Sequence, residues 1–72
     1  MRNLRDFRKS RDLSQAEMAK MLGYTLSMYE KVESGRAGVS SNFLLSFKRV
    51  FPEANIDYIF FGTNSKDVAV IH

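Results

Sequence analysis

The chain has 72 residues, which is enough for one domain with a thin core and too few for two. It has no Cys, one His at the terminal position 72 and no phosphate-binding glycine loop, so its composition argues against a disulfide framework, a metal or cofactor site and an enzyme. Its net charge is +3. No apolar stretch reaches the ~20 residues of a membrane span, so we expect a cytoplasmic protein with no membrane partner.

The first predicted helix is basic. It runs from about Asn3, a candidate N-cap, to Arg11, and Asp12 follows as a residue type that tolerates a turn. Residues 2–11 hold five basic side chains against Asp6 alone, a net charge of +4, while the rest of the chain has a net charge of −1. Such a stretch suits contact with nucleic-acid phosphates, and it is equally consistent with a solvated, charged helix face.

The second predicted helix begins with a capping box. Ser14 and Glu17 have the required spacing, in which the Ser hydroxyl accepts from the Glu backbone N–H and the Glu carboxylate accepts from the Ser backbone N–H. The pattern predicts a helix over residues 15–22. Gly23 is expected to end it, because a left-handed conformation costs glycine little.

Only Tyr24 and Thr25 separate that glycine from a third predicted helix. Thr25 is a candidate N-cap, the helix covers about residues 26–34, and Gly35 ends it. Two short helices joined by a turn that begins with glycine fit the description of a helix-turn-helix. Five apolar residues of these two helices are interpreted as core rather than contact positions: Met18, Ala19, Leu22, Tyr29 and Val32.

A fourth helix is predicted after a loop over residues 36–40. It begins at Ser40 or Ser41, and Pro52 prevents its continuation because proline lacks the backbone N–H. Its apolar positions fall on one face, as expected for a helix that packs against a core: Phe43, Leu44, Phe47, Val50 and Phe51.

A fifth helix and a tail complete the chain. Asn55 caps a short helix over residues 56–61, which Gly62 ends. The sequence therefore predicts an all-α fold of five helices in one domain, residues 1–62, followed by a tail, residues 63–72. The tail is either a disordered end or a short strand that pairs with a second copy of the chain, and its candidate interface residues are Val68, Val70 and Ile71.

The motifs together resemble a known family. The segment Ser14-Gln-Ala-Glu-Met-Ala19, followed by Gly23, Thr25 and Val32-Glu33-Ser34-Gly35, is similar to the phage repressor and Cro type of helix-turn-helix domain, the XRE family. The resemblance covers residues 4–62. It implies a five-helix, repressor-like DNA-binding domain whose third helix lies in the DNA major groove.

The resemblance also implies roles for particular residues. Gln15 matches a position that touches a DNA phosphate in relatives, and Arg36 matches a basic phosphate-contacting position. Arg8 and Glu33 match a structural ion pair that ties the first helix to the end of the third. With the base-facing positions of the third helix included, the candidate DNA-binding residues are Gln15, Thr25, Leu26, Ser27, Lys31 and Arg36.

Two functions remain open. The first is a transcriptional regulator that binds double-stranded DNA as a homodimer and has no room for a small-molecule effector domain. The second is an antirepressor, or modulator of repression, that binds a larger repressor of the same family and alters its DNA binding. Leu26 and Met28 motivate the second function, because base-facing side chains are usually polar and an exposed apolar cluster often marks a protein interface.

Overall fold

The computed structural model describes residues 2–62, and the predicted all-α, five-helix fold is confirmed for this part of the chain. The predicted strand and interface at Val68, Val70 and Ile71 lie outside the described residues. None of the described helices is long and apolar enough to cross a membrane. The five helices are α1 (Arg2–Ser10), α2 (Gln15–Leu22), α3 (Leu26–Ser34), α4 (Ser41–Val50) and α5 (Ile56–Phe61).

Local capping sets where the helices begin. Ser14 Oγ accepts from the backbone N–H of Glu17 at 3.0 Å, and Glu17 Oε1 accepts from the backbone N–H of Ser14 at 2.8 Å, which is the predicted capping box. Each such N-cap contributes about 1 kcal/mol, since it pairs an N–H that the helix leaves without a partner. The later helices each have one capping side-chain oxygen, from Thr25, Ser40 and Asn55 respectively.

The turn between α2 and α3 is short because Gly23 ends α2 in a left-handed conformation, with φ of 80°. The backbone N–H of Tyr24 then donates to the carbonyl of Ala19 at 2.9 Å, which closes the last turn of α2. Thr25 is extended and α3 begins at the next residue. The two helices pack against each other, and the predicted helix-turn-helix is present as a local structure.

Asn3 lies inside α1, so the prediction that it caps this helix is wrong. Its Nδ2 instead donates to the backbone oxygen of Tyr58 in α5 at 3.0 Å, and the two residues are 55 positions apart. Asn3 therefore ties the first helix to the last. At the other end of α1, Asp12 has a left-handed φ of 57°, as expected for a residue that tolerates a turn.

Aromatic rings fill the centre of the core. Phe47 of α4 is fully buried, and its ring centroid lies between 5.0 and 5.3 Å from those of Phe7, Phe51 and Phe60. These tilted and edge-on contacts join α1, α4 and α5 in the geometry that aromatic pairs prefer. The residues predicted as core in α2 and α3 are all buried: Met18, Ala19, Leu22, Tyr29 and Val32.

Candidate nucleic-acid interface

A shallow groove lies between the start of α2, the exposed face of α3 and the loop after it. Its volume is about 310 Å³, and its walls are Gln15, Ser27, Glu30, Lys31, Ser34 and Arg36. Ser27, Lys31 and Ser34 are spaced by four and three residues, so α3 presents them along one face. The groove thus brings together four of the six candidate DNA-binding residues, namely Gln15, Ser27, Lys31 and Arg36.

The other two candidates, Thr25 and Leu26, do not line this groove. Thr25 Oγ1 accepts from the backbone N–H of Met28 at 3.1 Å, so its hydroxyl caps α3. Leu26 is the first residue of α3 and is 43% exposed. Both residues lie at the end of α3 that also carries Ser27, and neither belongs to the core.

Glu30 and Ser34 line the groove although the family motif does not indicate them as site residues. The signal that finds them is helical spacing, since they lie three and seven residues after Ser27 on the same helix. Glu30 adds a carboxylate beside the cations of Lys31 and Arg36. The groove is therefore mixed in charge, with one acid among two bases and several hydrogen-bonding groups.

Beneath the groove lies a buried carboxylate, that of Glu33 at the end of α3, which is 5% exposed. Arg8 of α1 binds it with two hydrogen bonds, Nε to Oε2 at 2.9 Å and Nη2 to Oε1 at 3.1 Å. The Tyr29 hydroxyl donates to Oε2 at 2.6 Å. The ion pair that the resemblance implied between α1 and α3 is therefore present, in the bidentate geometry that suits an Arg and a carboxylate.

The surroundings of Glu33 keep it ionised. Burial raises its pKa, but the hydrogen bonds from Arg8, Tyr29 and Gln15 lower it by more, so the pKa of Glu33 falls below its ordinary value. Burial and the hydrogen bond to Glu33 raise the pKa of Tyr29, whose hydroxyl stays protonated as a donor. The pair is thus charged and fully hydrogen-bonded, which is the condition under which a buried ion pair is tolerated.

Gln15 is held from below by the same carboxylate. Its Nε2 donates to Glu33 Oε1 at 3.0 Å, and the side chain is half-buried at the first position of α2. Gln15 also lines the groove. The Gln15 amide therefore lies between the buried ion pair and the surface. The family motif indicates a phosphate contact for Gln15 but not this contact with Glu33.

The basic stretch over residues 2–11 is not a uniform cationic face. Arg8 is buried against Glu33, and Arg11 Nη2 contacts Glu53 Oε2 at 2.7 Å while its guanidinium carbon lies 4.7 Å from the ring centroid of Phe7. Glu33 and Glu53 thus compensate the charges of Arg8 and Arg11. The charges of Arg5 and Lys9 are on exposed side chains.

Apolar side chains are exposed next to the groove. Leu26 and Met28, both in the first turn of α3, are each 43% exposed. A helix that reads base edges usually presents Arg, Lys, Asn or Gln there. This end of α3 therefore offers apolar contact area as well as the hydrogen-bonding groups of Ser27 and Lys31.

Comparison with known families gives a match to a helix-turn-helix domain family over residues 2–51. The matched segment contains α1 to α4 and every residue that lines the groove. Searches of curated proteins and of solved structures give no significant match. Because the family model spans more than half of the chain and the structure has the corresponding turn between α2 and α3, the chain belongs to the helix-turn-helix domain family.

Proposed function

We propose that this protein is a small DNA-binding transcriptional regulator that docks α3 in the major groove of an operator. The observation that carries the proposal is the groove, in which Lys31, Arg36, Ser27 and Gln15 lie together although they come from three segments of the chain. These side chains suit a DNA duplex. Its phosphates attract the two cations, and its phosphate oxygens and base edges form hydrogen bonds with the two neutral side chains.

Each side chain has a role in this proposal. Gln15 and Arg36 bind phosphates and fix the orientation of the domain, and Lys31 faces bases or inner phosphates. Ser27 hydrogen-bonds a base edge, and Leu26 contacts a thymine methyl group. The hydroxyl of Thr25 stays at the start of α3, where the helix end approaches the DNA backbone.

A gel-shift titration with DNA from around the protein's own gene tests the proposal. We expect a discrete complex whose affinity falls as salt rises, because Lys31 and Arg36 displace counterions from phosphates. A matched variant, Lys48→Ala, changes an exposed lysine of α4 that does not line the groove and keeps wild-type affinity. Absence of a complex at low salt would contradict the proposal.

The second candidate function is an antirepressor, or modulator of repression, that binds a larger repressor of its own family. The exposure of Leu26 and Met28 favours it, because two large apolar side chains in one helical turn supply a protein-binding surface. The double variant Leu26→Ala, Met28→Ala, assayed for DNA binding and for capture of the repressor encoded nearby, separates the two functions. Loss of the repressor complex with DNA binding intact supports the antirepressor.

Assembly and domain organisation belong to the same proposal. We infer a domain over residues 1–62 and a separate tail, residues 63–72, through which two copies form a homodimer. A two-fold dimer presents two α3 helices one DNA turn apart, ~34 Å, so its operator is two-fold as well. The residues proposed to pair between copies are Val68, Val70 and Ile71.

A further inference from the structure

Glu33 connects the core to the groove through one hydrogen bond. It does not line the groove, yet its Oε1 accepts from Nε2 of Gln15, which does. The same carboxylate is held on its other sides by the guanidinium of Arg8 and the hydroxyl of Tyr29. Because the Glu33 carboxylate is held in this way, it fixes the direction from which the Gln15 amide nitrogen donates to it.

The consequence for Gln15 follows from the shape of an amide. The side chain has several rotatable bonds, and ordering such a side chain on binding costs affinity. The amide group is planar with two N–H donors on one nitrogen. Once the first N–H donates to Glu33, the direction of the second is set before any ligand arrives.

We propose that Glu33 is a positioning residue for nucleic-acid binding, which holds the Gln15 amide in the orientation that meets a DNA phosphate. The inference rests on the proposed DNA-binding function and adds to it a residue that touches no DNA. Glu33 does not repel the phosphate, because Arg8 compensates its charge within the buried pair. Arg8 and Tyr29 act one step further back, by holding Glu33.

The test removes the acceptor without leaving a buried charge. The triple variant Arg8→Met, Tyr29→Phe, Glu33→Leu replaces the polar cluster with apolar side chains of similar size, a change that is often neutral or stabilising. Tyr58→Phe is the control, since it removes an exposed hydroxyl of α5 that does not line the groove. The probe is a fluorescent duplex of mixed sequence two helical turns long, about 21 base pairs.

We expect Gln15→Ala and the triple variant each to weaken binding by about 2- to 10-fold, the range that corresponds to ordering one side chain. Adding Gln15→Ala to the triple variant causes no further loss of affinity, because the Gln15 amide is no longer oriented in the triple variant. The dependence of affinity on salt stays unchanged in all of them, since no phosphate-binding cation is removed. Tyr58→Phe keeps wild-type affinity.

Two kinds of result overturn the inference separately from the proposed function. If the wild type binds the duplex, the inference is overturned when Gln15→Ala or the triple variant binds with wild-type affinity. It is also overturned when the combined variant loses affinity by the product of the two separate losses. A wild type that binds no duplex at low salt overturns the proposed function and the inference together.

A measurement on the wild type covers the case in which the triple variant does not fold. Gln15 is the only Gln in the chain, so its side-chain amide signals are unambiguous in an NMR spectrum. We expect this amide to be ordered on the picosecond to nanosecond timescale, unlike that of the exposed Asn42. Equal mobility of the two amides overturns the inference.

Discussion

The carboxylate of Glu33 makes the stability of the protein depend on pH. Its pKa in the folded chain lies below the ordinary value of 4.5, because the hydrogen bonds from Arg8, Tyr29 and Gln15 outweigh burial, which acts in the opposite direction. The unfolded chain therefore takes up the proton at a higher pH than the folded chain. The stabilisation is fully present above the unfolded value near 4.5 and is lost as pH falls through the folded value.

We expect a steeper acid loss of stability in the wild type than in Glu33→Gln, which has no carboxylate to protonate at this position. Urea unfolding at a series of pH values, from neutral to below 4.5, measures the difference. Glu53→Gln is the control, because Glu53 is exposed and solvent screens its pair with Arg11. A Glu33 pKa at or above 4.5, measured by NMR titration of the wild type, would contradict the prediction.

Two Arg–Glu pairs within residues 2–62 differ in burial and therefore in the cost of breaking them. Arg8→Met leaves the buried charge of Glu33 without its cation and removes the 2.8 Å hydrogen bond to the Leu13 carbonyl, so we expect a loss of ~3–5 kcal/mol. Arg11→Met breaks an exposed pair with Glu53 and a contact with the Phe7 ring, and we expect a much smaller loss because solvent screens this pair. Chemical denaturation measures both, and equal losses would rule out the distinction.

Helix α4 contributes the centre of the core. Phe47→Ala removes a fully buried ring that contacts rings of α1 and α5, and we expect it to cost ~3–5 kcal/mol, a large share of the stability of a small domain. Leu45→Ala, in the same helix but 61% exposed, changes stability by less than ~0.5 kcal/mol. Thermal unfolding of both variants tests the contrast, which fails if Phe47→Ala melts with the wild type.

For the helix-turn-helix of α2 and α3, we expect two substitutions to weaken DNA binding in different ways. Lys31→Ala weakens binding and lowers the slope of log affinity against log salt by about 1, because one cation no longer displaces a counterion. Gln15→Ala weakens binding to all sequences alike and leaves the slope unchanged, because its amide is neutral. Titrations at several salt concentrations on operator and unrelated duplexes measure both, and wild-type behaviour of both variants would refute the placement of α3.

Local signals explain why the element boundaries were predictable from the sequence. The bounds of α2 and α3 depend on the pair Ser14 and Glu17, on the cap Thr25 and on left-handed glycines, all of which act within four residues of their partners. Contacts between residues far apart in the sequence could not be predicted from such local signals. The role of Asn3 depends on a carbonyl 55 positions away, and the bond from Gln15 to Glu33 spans 18 positions.

The distribution of charge over the folded protein matters more than its net value of +3. The sequence places its excess of positive over negative charge in residues 2–11, but folding brings Glu33 to Arg8 and Glu53 to Arg11. Composition alone does not reveal this compensation, because both acids lie more than 20 positions from their partners. The cations Lys31 and Arg36, which composition does not single out, lie in the groove.

Assembly of two copies of the chain is expected to depend on the tail. Residues 68–71 are rich in β-branched side chains, and in a strand Val68 and Val70 face one side while Ala69 faces the other. If two tails pair across a two-fold axis, the paired substitution Val68→Ser, Val70→Ser shifts the protein from dimer to monomer, as deletion of residues 66–72 does, whereas Ala69→Ser has little effect. Sedimentation velocity over a range of protein concentrations measures the shift. A dimer that survives the deletion removes the tail from the mechanism. A full-length chain that is monomeric at every concentration also removes it, and leaves a single α3 to bind each DNA site.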